Sequence, residues 1–211
     1  MLSIYTKELK SLFNSLIAYL VIGIFLTGIG LYVWIFNPNI FKIQEADLGL
    51  VFQVTPYVFM FLIPAVTMRT FSEEIKEGTL ELLLTKPISE WQLVLGKFFA
   101  SVTLVIIALL PTLIYLYSIY QLGNPVGNID IARVIGSYIG LILLSFTFTS
   151  IGIWTSVFTE NQIVAFISAL FLSLMLYEGL QYLGNLIPSG RIGYIIAVSY
   201  THLTLPTKRI V

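Results

Sequence analysis

The stretch at residues 69–97, RTFSEEIKEGTLELLLTKPISEWQLVLGK, decides how the rest of the chain is read. It holds nine of the 22 charged residues, four basic (Arg69, Lys76, Lys86, Lys97) and five acidic (Glu73, Glu74, Glu77, Glu81, Glu90), between two apolar segments. A charge at the centre of a bilayer costs roughly 2.5–3.5 kcal/mol on insertion scales. The stretch is therefore expected to face water between two membrane spans. Thr70 and Glu73 have the spacing of a capping box and predict a helix start there. Gly78 is expected to break that helix. Residues 79–86 predict a second short helix with Leu80, Leu83 and Leu84 on one face and Glu81 on the other, stopped by Pro87. Ser89 and Gln92 form a further capping box at the head of the next apolar segment. A helix of about two turns is marginal alone in water, so its leucine face needs a cover. That cover is either the lipid headgroup surface or a cytoplasmic protein that docks here.

The composition around this stretch agrees with a membrane setting. The 211 residues are 57% hydrophobic and 10% charged, with a mean hydropathy of +0.93, whereas soluble domains carry about 25% charged residues. That excludes a soluble globular protein and predicts an all-α polytopic bundle. A formal net charge of zero gives no electrostatic case for nucleic acid. With no cysteine and a single histidine, disulfides, thiol chemistry and His/Cys metal clusters are excluded. Around Gly96-Lys97 there is no phosphate-binding GxxxxGK[ST] motif, since Trp91 stands where its first glycine belongs and Phe98 follows the lysine. No cleavable signal peptide is expected, because Lys7, Glu8 and Lys10 precede an apolar stretch too long for one.

Five spans are predicted, at residues 17–36, 48–68, 98–120, 134–158 and 163–182. Before the first, Leu2, Tyr5, Leu9, Leu12 and Leu16 share a helical face; this is either an interfacial amphipathic helix or the start of the first span. Pro56 and Pro64 lie inside the second span and Pro111 inside the third, where kinks steer packing or shape a pathway. The second half of the fourth span carries Ser145, Thr147, Thr149, Ser150, Thr155 and Ser156. Such hydroxyls either bond their own helix or line a polar conduit. Glu178, near the end of the fifth span, is either a functional intramembrane carboxylate or a side chain that reaches the interface. Basic residues beside the spans set orientation. With the N-terminus inside, six lie on inner links (Lys7, Lys10, Arg69, Lys76, Lys86, Lys97) and three on outer links (Lys42, Arg133, Arg191), so the central stretch is expected on the cytoplasmic side.

The set Arg69, Phe71, Glu74, Gly78-Thr79, Glu81-Leu82-Leu83, Pro87 and Gly96-Lys97 resembles the first cytoplasmic loop of ABC-2 type transporter permeases. Over roughly residues 1–185 the chain is most similar, within that family, to gliding-motility-associated permease subunits of the GldF type. The resemblance implies one transmembrane domain over residues 1–198 and a coupling helix seated in a groove of a separate cytoplasmic ATPase. Its coupling residues would be Glu74, Gly78, Thr79, Glu81, Leu83 and Pro87. ATP would bind to that partner, with no cofactor in this chain. A second permease copy, or a related permease, would complete the assembly in the bacterial inner membrane, with the N-terminus cytoplasmic. The work would be export or mechanical work, gliding motility included. Two other classes stand beside it: a structural membrane subunit of a motility or envelope machine, and a secondary transporter or channel.

The family implies six spans, yet the apolar run at residues 193–198 stops early. Residues 199–211, SYTHLTLPTKRIV, resemble translated adapter read-through, so this tail is expected to be non-native and His202 to carry no function.

Overall fold

The computed structural model describes residues 1–36, 48–85, 89–123, 126 and 129–186, with no account of the side chains at 82–84, 180–181 and 183–186. The links around Pro38 and Asn124, the segment 86–88 with Pro87, the short sixth run and the tail all lie outside the described residues. Among those described there are nine α-helices, one 3-10 turn and no strand.

The helices are α1 (Leu2–Asn14), α2 (Leu16–Trp34), α3 (Gly49–Thr67), α4 (Arg69–Lys76), α5 (Thr79–Leu84), α6 (Glu90–Leu109), a 3-10 turn (Leu110–Thr112), α7 (Leu113–Leu122), α8 (Ile131–Val157) and α9 (Gln162–Leu186). Among the described residues, five helical segments are long and apolar enough to cross a membrane: α2, the α3–α4 rod, the α6–α7 rod, α8, and α9 over Gln162–Gly179. The protein is a multi-pass membrane helix bundle.

Starts and stops follow local chemistry. Ser15 ends α1 and caps α2, its hydroxyl accepting from the Ile17 N–H at 3.2 Å. Asp130 caps α8 by accepting from the Arg133 N–H at 3.1 Å, and Ser89 caps α6 by accepting from the Gln92 N–H at 3.3 Å. The capping box expected at Thr70 does not form. Met68 is helical, and its N–H bonds the Pro64 carbonyl at 2.8 Å, so α3 runs on into α4 with no free helix end to cap. The third span is interrupted at Pro111, which sits in the 3-10 turn. There the Thr112 hydroxyl donates to the Leu109 carbonyl at 2.6 Å and pairs with the Tyr138 hydroxyl at 2.9 Å.

The α3–α4 rod is the axis of the bundle. Its most apolar stretch is 61% buried, against 28% for α2 and 22% for α9. It packs against α8, α2 and α9, while α1 lies along α6. Phe25 of α2 stacks on Phe59 of α3 at 5.7 Å, and Phe52 of α3 meets Tyr138 of α8 edge-on at 5.2 Å. Two crossings depend on glycine. A Cβ at Gly152 would overlap the Thr67 side chain, and one at Gly96 would stand 2.9 Å from Ile4 Cγ2. The Gly96 of the loop motif therefore lets α1 approach α6.

Candidate functional site

At one end of the bundle α4 leaves α3, turns at Gly78 and returns as α5. This charged elbow is held from below by a small apolar cluster of Ile4, Phe71, Leu93 and Ile153, with Ile75, Leu80 and Phe98 packed against it. The Ser72 hydroxyl bridges its own helix to α8, bonding the Met68 carbonyl at 2.8 Å and the Ser156 carbonyl at 3.1 Å.

The stretch expected to face water throughout is in fact divided. Lys76, Glu77, Gly78, Glu81 and Thr85 are exposed. Arg69 and Glu73 are half-buried and form a forked pair along α4, with Nε to Oε2 at 3.0 Å and Nη2 to Oε1 at 2.7 Å. Lys97, placed by its charge in the loop, lies in α6 and is 1% exposed. Its ammonium donates to the Thr70 carbonyl at 2.6 Å and to Glu8 Oε1 at 3.2 Å, pairs with Glu74 Oε1 at 2.8 Å, and stands 4.9 Å from the centre of the Phe71 ring. The buried ammonium thus has two hydrogen-bond acceptors and a second carboxylate beside it, the pairing under which a lysine can be buried. A cleft of about 350 Å³ opens above it, lined by residues of α1 (Lys7, Glu8, Ser11) and α4 (Arg69, Glu73, Glu74).

The residues singled out from the sequence fall into three groups. Glu74, expected at a docking face, turns inward to Lys97. Gly78 has φ of +67°, the left-handed region that glycine reaches without strain, and Thr79 begins α5 with its hydroxyl on the Glu74 carbonyl at 3.3 Å. Both build the turn. Glu81 is exposed on α5, Leu83 lies in α5 with its side chain outside the described set, and Pro87 falls outside it altogether. Leu80, the first residue of the expected leucine face, packs inward on the elbow's own cluster.

Sequence reasoning missed Lys97, Glu8 and Ser72 as structural partners. A signal was present. On α6, Leu93, Gly96, Ala100, Ser101 and Leu104 recur at helical spacing and are buried, and Lys97 falls on that stripe. On α1, Glu8 stands one turn after the buried Ile4.

Three buried hydroxyls of α8 turn to their own backbone, Ser145 to the Ile142 carbonyl at 2.7 Å, Thr155 to Gly152 at 2.9 Å and Ser156 to Ile153 at 2.7 Å, while the buried Thr149 hydroxyl has no hydrogen-bond partner among the described residues. Glu178 is half-buried and makes no ion pair among the described residues.

A family model described as ABC-2 family transporter protein matches residues 2–189. The chain belongs to this family. It is a membrane permease subunit of the ABC-2 transporter type, and membership implies a cytoplasmic ABC ATPase as its partner. No curated protein and no solved structure matched the chain.

Proposed function

We propose that this ABC-2 chain couples ATP hydrolysis in a separate ATPase subunit to movement of its own helices, with the elbow as the contact. The observation that carries the reading is the continuity of α3 into α4. The most buried span runs without a break into a charged segment whose tip, around Glu77, Gly78, Glu81 and Thr85, is exposed. A push on that tip acts on the axis of the bundle. The excess of basic residues on the inner links supports a cytoplasmic elbow and N-terminus, in a bacterial inner membrane. A second permease copy or a related permease would complete the pathway, the outer apolar faces meeting lipid. The work is export or mechanical work, with gliding motility the role that the subfamily resemblance suggests.

The test is co-purification of the ATPase subunit with variant permeases. Glu77→Lys with Glu81→Lys presents like charge to whatever basic groups receive the tip and should weaken association by roughly 2 kcal/mol or more. Leu83→Asp probes the leucine side of α5 and should cost about 2–5 kcal/mol of association if a contact buries it. A reporter fused at Lys76, the last residue of the α3–α4 rod, should read cytoplasmic in every case, since the substituted positions all lie beyond that rod. Normal insertion with wild-type retention of the ATPase in both variants would reduce the elbow to a solvated link.

A further inference from the structure

We propose that Lys97 is a positioning residue for coupling: a buried latch that makes α1 follow the elbow. The inference rests on the elbow being the point of ATPase contact. The lysine stem rises from α6, and its ammonium is shared between Glu8 on α1 and Glu74 with the Thr70 carbonyl on α4. Apart from that lysine, α1 and α4 meet through the apolar cluster of Ile4 with Phe71 and Ile75. The cleft of about 350 Å³ separates them, and Lys97 is among its lining residues. The lysine is thus the polar link between two helices that otherwise share only the apolar cluster around Ile4 and Phe71 and face each other across the cleft.

Two features set this cluster apart from simple packing. Buried ion clusters can often be replaced by apolar residues without loss of stability, whereas their best-attested use is to fix register. The cluster is also one acceptor in excess. Two carboxylates share one ammonium, and Glu74 Oε2 is buried with no hydrogen-bond partner among the described residues. A buried acceptor left short in one arrangement gains from another that satisfies it. A displacement of α4 that supplies Oε2 with a partner would loosen Glu74 from Lys97 and release α1 from the elbow. The latch then has two positions, which is what a coupling element requires.

The chain contains no cysteine, so introduced pairs carry spin labels at unique sites. Thr6→Cys on α1 with Lys76→Cys on α4 reports the span of the cleft; Thr6→Cys with Glu160→Cys reports α1 against the α8–α9 end of the bundle. In lipid nanodiscs the first pair should give a narrow distance distribution that broadens in Lys97→Met and narrows again in Lys97→Arg. In the complex with its ATPase, ATP should shift the second pair. That shift should be lost in Lys97→Met while the ATPase subunit stays bound. Glu8→Gln, which leaves Lys97 with Glu74 and Thr70, should lose the same shift if Lys97→Met fails to fold. An unchanged shift in the variants, or no shift at α1 in the wild-type complex, overturns the latch and leaves the docking reading standing. Loss of the ATPase subunit from the Glu77→Lys/Glu81→Lys variant bears on docking alone.

Discussion

Lys97 and Thr155 are both buried polar residues in membrane-spanning helices, and their hydrogen bonds run in opposite directions. Thr155, like Ser145 and Ser156 on α8, closes its bond on a carbonyl three residues back in its own helix. Lys97 reaches across to partners 27 and 89 residues away in sequence. The first kind of satisfaction asks nothing of neighbouring helices, so α8 can slide or rotate without losing it. The second makes three helices depend on one atom. Where polar groups close locally a bundle is free to move; where they close across elements, motion is transmitted.

That contrast can be broken at its strong end first. Lys97→Ala strands two inward-facing carboxylates and should cost about 3–5 kcal/mol of stability, measured by steric trapping in bicelles. A loss below 1 kcal/mol would rank the cluster with exposed surface pairs. Next comes steric fit. Gly152→Ala forces a Cβ against Thr67 and should cost roughly 1–3 kcal/mol, while Gly136→Ala on the same helix, where the space is open, should be near neutral. At the weak end, Ser150→Ala removes a hydroxyl that among the described residues is bonded only to the Phe146 carbonyl, at 2.9 Å, and should cost about 0.6 kcal/mol or less. A larger loss would mean that the α8 hydroxyls also act between helices.

What the sequence disclosed divides along the same line. The spans were legible because length and apolarity act locally, and Gly78 was legible because a glycine amid helix formers marks a break. The Ser89 cap was legible for the same reason. The capping box at Thr70 misled because the motif says nothing of whether a helix end exists there, and α3 arrives from upstream without one. The leucine face of α5 misled at Leu80, whose spacing fixes a side of the helix and not what that side meets. Lys97 was hardest. A charge beside an apolar segment is ordinarily a boundary, and only partners supplied by α1 and α4 allow it inside. Of the residues named for coupling, Gly78 and Thr79 build the turn, Glu81 stands exposed and Glu74 belongs to the cluster beneath, while the coupling role itself is a proposal.

The reach from Glu8 to Lys97 also sets an order of assembly. The ribosome delivers Glu8 of α1 before Lys97, so the carboxylate must wait another 89 residues of chain for its basic partner. At synthesis rates of about 5–20 residues per second that wait lasts roughly 4–18 s. During it the emerging N-terminal helix has neither its lysine nor the Gly96 surface on which Ile4 rests. The cluster therefore closes only once the start of the third span has been made, so a chain stalled before residue 97 would expose α1 unclamped and charged to quality-control proteases.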